Sequence, residues 1–276
     1  MPARFVGVTG LPRAGSTLMC QLLAQHPDIH CEGHSSPLCH VLTSIRRMIS
    51  DDQFFLAQLD QSFERSYDHL TSAMKAFLQG WYQNCDKQVV ADKNRIWLNA
   101  IELLLHMEPE AKLIVCIREL GQVYGSIEAQ HQRTIMVDFI DHLADLDRID
   151  RAEKLFAPDK GVIGIPLKSL NSVQELPLKV RERLCFIRFE DLLDQPVKCM
   201  SQIFAWLGLS SYPIDPEKLT RLGPSESDSH YRMKYLHKWS DRIMKPARHE
   251  IPPRIQANIE KDFPWFYKTY YPATRS

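Results

Sequence analysis

The chain has 276 residues, of which 44% are hydrophobic and 25% charged, and its 34 Lys+Arg balance 34 Asp+Glu. That composition is ordinary for a globular protein, while a net charge of zero speaks against general nucleic-acid binding and leaves any basic function local. No apolar run approaches the roughly 18 residues needed to span a bilayer.

The opening "MPARFVGVTG" runs from Met1 into an apolar strand, without the basic segment, apolar stretch and cleavage site of a secretory leader. Seven cysteines, Cys20, Cys31, Cys39, Cys85, Cys116, Cys185 and Cys199, follow no framework spacing. Together these features predict reduced thiols in a cytoplasmic protein. With only 11 glycines and no low-complexity tract or flexible linker, one domain over residues 1–276 is expected.

Four short apolar runs read as buried parallel strands. The first, Phe5–Thr9, precedes a helix with Leu18, Leu22 and Leu23 on one face. A helical insertion, Leu38–Gln83, separates it from the second strand, Gln88–Ala91, after which Trp97, Ala100, Ile101, Leu104 and Leu105 keep helical spacing. The third strand is Leu113–Ile117. A second insertion, about 128–160, carries Phe139, Leu143, Leu146 and Ile149 as the apolar stripe of a helix whose aspartates face solvent. The fourth strand, Leu184–Ile187, leads to a helix that begins at Pro196 and is stopped by Gly208. The expected fold class is α/β, a P-loop-like parallel sheet flanked by helices. Ligands bind at the carboxyl ends of such strands, so the insertions rooted there would form the acceptor side.

Between the first strand and its helix stands "GLPRAGST", Gly10 to Thr17. Its glycines and final threonine fit the phosphate-loop pattern G-x-x-x-x-G-K-[ST], but Ser16 replaces the lysine. The N–H groups of Ala14, Gly15, Ser16, Thr17 and Leu18 would converge on an anion, aided by the helix dipole. Arg13 adds a fixed charge, and Ser16 and Thr17 add hydroxyls. Without the lysine a triphosphate is poorly served; a magnesium-dependent small-molecule kinase would need Asp92, after the second strand, to hold the metal. The third strand ends instead in "CIRELGQVYGSI", with Arg118 at its tip and Ser126 in the next helix. A strand-end arginine beside the loop offers charge-assisted recognition of a second phosphate.

"GLPRAGSTL" and "CIRELGQVYGSI" together resemble the two signatures of sulfotransferases that use 3'-phosphoadenosine 5'-phosphosulfate (PAPS), in particular the tyrosylprotein and related bacterial enzymes. The resemblance implies that the loop cradles the 5'-phosphosulfate while Arg118 and Ser126 hold the 3'-phosphate. It also implies sulfuryl transfer from PAPS to a hydroxyl or amine acceptor, a small molecule or a peptide, with adenosine 3',5'-bisphosphate as product and no metal. "VVADKNRIWL" looks like the segment that places Lys93, or Arg95, near the transferring group. "FIRFEDLLDQP" resembles the family's R-Y-E-D-L strand, with Phe189 in the tyrosine's place and still offering adenine an aromatic face. His230–Arg254 carries seven Lys/Arg against two acids, and the resemblance makes it a nucleotide cap, about 225–254, with Tyr231 or Tyr235 near the base and Arg232 and Lys234 on phosphates. An adenosine bisphosphate-binding protein without catalysis would use the same pocket.

The acceptor needs a general base. "HPDIHCEGHSSPL" is similar to the segment that carries it in the tyrosylprotein enzymes and offers His30, Glu32 and His34. By count from His26-Pro27, His34 takes the base position, with Glu32 as an orienting neighbour; imidazole titrates near neutrality without special tuning. Cys31, His34, Cys39 and His40 match no common zinc spacing. Lys93, loop N–H groups and Ser16 or Thr17 are the candidates for charge stabilisation on the leaving oxygen.

Overall fold

The structure, a computed structural model, describes residues 4–136, 143–223, 226–227, 236–237 and 239–272. In chain order the elements are β1 (Arg4–Gly10), α1 (Ser16–Leu23), β2 (Ile29–Ser35), α2 (Leu38–Ser50), α3 (Gln53–Gln61), α4 (Phe63–Trp81), β3 (Val89–Lys93), α5 (Ile101–Met107), β4 (Lys112–Ile117), α6 (Leu120–Arg133), α7 (Arg148–Phe156), α8 (Gly164–Ser172), α9 (Leu178–Arg181), β5 (Leu184–Arg188), α10 (Phe189–Asp194), α11 (Pro196–Leu207), a small hairpin of β6 (Glu226–Ser227) and β7 (Leu236–His237), α12 (Pro253–Asp262) and α13 (Pro264–Tyr270). Strands β1 to β5 form one sheet in the order β2-β3-β1-β4-β5, every pair parallel. The expected α/β class is therefore observed. No described helix is long and apolar enough to cross a membrane.

The four expected strands correspond to β1, β3, β4 and β5. The apolar runs of β1, β3 and β4 make the centre of the sheet, so helices cover both faces and leave these strands almost wholly buried. The fifth strand, β2, is a correction: the histidine-containing segment is an edge strand paired to β3. Its residues alternate, Ile29, Cys31 and Gly33 buried against exposed Glu32 and His34 and half-buried His30. That two-residue period fits a strand with one covered face. Between Cys31 and Ser35 the register with β3 slips, and Gly33 takes a φ of 78°.

The first insertion is helical throughout, as α2, α3 and α4. The second is not. Leu143 and Leu146 lie before α7, and Asp147, expected on a solvated helical face, instead caps α7 by accepting from the N–H groups of Ile149 and Asp150. An aspartate at that point is a helix start, because its carboxylate competes for the first free N–H groups. Phe139 lies outside the described residues. A buried ion pair, Arg151 Nη2 to Glu128 Oε1 at 2.7 Å, ties α7 to α6. All seven cysteines are free thiols; burial pushes Cys39 and Cys116 up, and Cys185 to about 11, which keeps them protonated and inert.

Candidate active site

The loop after β1 is shaped by two left-handed residues. Gly15 (φ 83°) caps α1, and a Cβ there would lie 2.5 Å from Phe189 Cδ2, so only glycine lets Phe189 pack against the turn. Arg13 adopts φ 59° without being glycine, a conformation that costs about 1–2 kcal/mol. Its geometry explains why the cost is carried. The carbonyl of Arg13 accepts from Arg118 Nη1 at 3.0 Å, while its Nε donates to Ser126 Oγ at 3.1 Å. Loop, strand tip and α6 are thus locked through the three residues that the sequence singled out. Beyond Gly15, the first-turn N–H groups of α1 lack intrahelical acceptors, as at any helix start, and Gly15 supplies no side-chain cap.

Arg13, Gly15, Ser16, Thr17, Leu18, Lys93, Arg95, Arg118, Ser126 and Phe189 line one cavity of about 480 Å³ at the carboxyl edge of the sheet. Ala14 is buried behind the loop and does not line it. Lys93, 6% exposed, points its ammonium to Thr17 Oγ1 at 3.2 Å. Arg95 faces the same cavity, and its carbonyl accepts from Thr9 Oγ1 at 2.8 Å. The Arg118 guanidinium sits 4.6 Å over the Phe189 ring, so one aromatic face is already covered. Burial pushes the Arg118 pKa down, Glu190 opposes this and Arg13 adds to it. Among the described residues, Arg118 Nε is buried with no hydrogen-bond partner. The adjacent Glu119 does not pair with Arg118; its carboxylate caps α6 at Gly121 and Gln122 and accepts from Tyr267. A buried cationic group beside a helix start that has no side-chain cap is a site suited to an anion.

Sequence reasoning missed part of the wall. From Ser126, Ala129, Gln130 and Arg133 follow at helical spacing and line the same cavity, a signal that was present in the sequence. The C-terminal segment supplies Ser240, Arg242, Ile243, Met244, Lys245, Pro246 and His249. It is held at one end by backbone bonds of Leu219 to Asp241 and Ile243 to Pro216, and by Gln21, whose Nε2 donates to the carbonyls of Thr220 and Ser240. At the other end Gln122 grips both main-chain groups of His249. Tyr231, Arg232, Lys234 and Tyr235, expected on the nucleotide, lie outside the described residues.

Neither His34 nor Glu32 lines the cavity; Ser35, next on β2, does. The base candidates form a cluster of their own, with Glu32 Oε2 3.3 Å from His34 Nε2 and Oε1 3.6 Å from His30 Nε2. Asp92 is not available to a magnesium ion at the loop. Trp97 Nε1 and Tyr82 Oη donate to its two oxygens at 2.6 and 2.5 Å, away from the Lys93 side of β3. Burial pushes its pKa up, against the donors Ser36, Tyr82 and Trp97. Among the described residues no three His, Cys, Asp or Glu gather as a metal site, the Cys31–His40 set included.

The aromatics of the first insertion are mostly outward. Phe54 is 83% exposed and Phe63 57%, and Tyr67, Phe77 and Trp81 are also exposed, while Tyr82 turns in to Asp92. No residue of 38–83 lines the cavity. The insertion is nonetheless rooted beside it, because Ser36 N donates to the Lys93 carbonyl and Asn94 Nδ2 to the Ser36 carbonyl just before α2.

The chain is 30% identical over 266 residues, 95% of its length and 68% of the relative's, to protein-tyrosine sulfotransferase 1 of Danio rerio. To the Mus musculus protein of the same name it is 30% identical over 121 residues, 43% of this chain but only 32% of the mouse protein. A solved sulfotransferase domain from the curacin biosynthetic pathway superimposes with a TM-score of 0.48 at 18% identity, over 77% of this chain and 76% of that one. Residues 6–213 match the family model described as "Sulfotransferase family", and the chain belongs to that family.

Proposed function

We propose that the chain transfers a sulfuryl group from PAPS to a hydroxyl or amine acceptor. The observation that carries the reading is the Arg13–Ser126–Arg118 lock, which sets a buried guanidinium and a hydroxyl beside the helix-start loop. Two anionic groups at different points of one nucleotide suit that pairing: a 5'-phosphosulfate on the loop and a 3'-phosphate at Arg118 and Ser126. Sulfuryl transfer, like phosphoryl transfer, depends on positioning and charge stabilisation more than on covalent help. Negative charge grows on the oxygen that links sulfur to the 5'-phosphate as that bond breaks. Lys93, buried and already touching Thr17, is the cation placed to meet it, with the loop N–H groups. Phe189 steadies Arg118 from one side and leaves its remaining surface for the base.

The acceptor proton goes to His34, oriented by Glu32, whose carboxylate sits between His34 and His30. The cluster stands on β2 immediately before Ser35, which does line the cavity, so a hydroxyl that reaches the donor past Ser35 passes beside His34. Exposed aromatics on α3 and α4 favour an acceptor too large for the cavity, a peptide or an extended small molecule, over one enclosed by it.

Thermal shift tests the donor assignment. Adenosine 3',5'-bisphosphate is expected to stabilise the protein at concentrations where ATP with magnesium does not; the opposite order would overturn the assignment. Binding of the bisphosphate without transfer from labelled PAPS to any acceptor of a broad screen would leave a nucleotide-binding protein in place of an enzyme.

A further inference from the structure

His249 is the imidazole that the C-terminal segment brings into the cavity, and its placement is built with some care. Gln122, 6% exposed on α6, donates from Nε2 to the His249 carbonyl at 3.0 Å and accepts from the His249 N–H at 2.8 Å. A side-chain amide thus takes the place of a neighbouring strand and fixes the main chain at this one residue. One turn along α6, Gly125 leaves bare backbone under the imidazole; a Cβ there would lie 2.5 Å from His249 Cβ and 3.1 Å from its Cγ. The next residue is Ser126, and the cavity wall that includes His249 also includes Arg13, Arg118 and Arg133.

The surroundings of this imidazole are cationic from every packed element. Arg13 acts from the loop, Arg118 from the tip of β4 and Arg133 from α6; Arg248 and Glu250 flank it on its own segment with exposed side chains. Burial first, then the three arginines, hold the His249 pKa below its usual value. Burial and the three arginines thus both favour the neutral imidazole over the protonated one. An anion placed among the same arginines offsets that field and favours the protonated imidazole.

We propose that His249 is a further ligand of the nucleotide's 3'-phosphate, and that it takes up a proton when that phosphate binds. The inference rests on the reading that Arg118 and Ser126 hold this phosphate. Linkage gives the sign: a group whose pKa is low in the free protein and higher in the complex makes binding tighter as pH falls between the two values. Above the bound-state pKa that contribution is lost.

The experiment is calorimetric titration of the whole chain and of His249→Gln with adenosine 3',5'-bisphosphate and with 5'-AMP, at pH 7, in two buffers of different ionisation enthalpy. The unmutated protein is expected to take up more protons than His249→Gln on binding the bisphosphate, and no more than it on binding 5'-AMP. Between pH 6 and 8 its bisphosphate affinity should fall about three- to fivefold more than the variant's, the effect of a shift of about one pK unit. Equal proton uptake by the two proteins, with the bisphosphate still preferred over 5'-AMP, would overturn the inference and leave His249 as an anchor for the segment. If neither protein prefers the bisphosphate at any pH, the reading of the Arg118 site fails first and this inference falls with it. His249→Gln keeps the backbone grip of Gln122, so a change in proton uptake does not report a misplaced segment.

Discussion

Around Arg118 each polar side chain is fixed by something else in the fold: Arg13 holds Ser126, Arg118 holds the Arg13 carbonyl and Phe189 fits the gap left by Gly15. At the edge of β2 the arrangement is the reverse, because His30, Glu32 and His34 hold one another and remain about one-third to one-half exposed. The first region is preorganised for a ligand of fixed shape, with few rotamers left to lose on binding. The second leaves its side chains less constrained, held by one another and by solvent. The contrast separates residues expected to act on nucleotide affinity from residues expected to act on turnover alone.

The largest effect should come from Lys93, which belongs to the rigid region by burial and, on the proposed function, to the chemistry. Lys93→Met is expected to lower turnover about a hundred- to a thousandfold, the cost of removing one charge-stabilising donor. Affinity for adenosine 3',5'-bisphosphate, measured by titration, should stay within about threefold, since the developing charge exists only in transfer. Comparable losses in affinity and turnover would make Lys93 a ground-state ligand. His34→Ala comes next, with a loss in turnover of about a hundredfold and unchanged nucleotide affinity, and Glu32→Gln should lose less. A dead Glu32→Gln beside an active His34→Ala would transfer the base role to Glu32.

Arg118→Ala should weaken the bisphosphate about tenfold or more beyond any loss for 5'-AMP, as expected for a charge-assisted contact of ~1.5–3 kcal/mol, while the loss common to both nucleotides reports the Arg13 carbonyl that Arg118 also holds. Equal losses for both nucleotides would place Arg118 on the shared part of the ligand. The smallest effect belongs to the outward aromatics. Phe54→Ser and Phe63→Ser are expected to change thermal stability by no more than about 0.5 kcal/mol and bisphosphate affinity not at all. A raised KM for a peptide acceptor in these variants would tie the exposed face to acceptor docking; a protein that fails to fold would show the aromatics to be core.

What was legible in the sequence follows the same division. The loop and the Arg118–Ser126 pair are local patterns with fixed spacing after apolar strands, and β1, β3, β4 and β5 lie where those runs predict. Strand β2 was hidden because its exposed face carries His30, Glu32 and His34 and its buried face includes Gly33, so no apolar run marks it. Asp147 read as solvated charge because capping depends on where the helix starts, which composition does not reveal. Asp92 read as a candidate metal ligand because nothing in sequence places Trp97 and Tyr82 on its oxygens. The wall from Ser240 to His249 falls inside the cap expected over about 225–254, but which of its residues face the cavity depends on Gln21 and Gln122, 219 and 127 residues away from their partners. Isolated glutamines carry no pattern that announces such a reach.

Those two glutamines also set the energetics of one local motion. Between the bonds of Ile243 and the grip on His249, residues Met244 to Arg248 cross the cavity edge with Lys245 tied to Asp194 as their side-chain anchor. Releasing the Gln122 end breaks two hydrogen bonds and none within the sheet, so this segment is expected to open at a lower free energy than global unfolding. The His249 amide should accordingly exchange with solvent deuterium far sooner than the amides of β1. The observed rate of the His249 amide, divided by the rate of an unprotected amide, measures how often this segment opens.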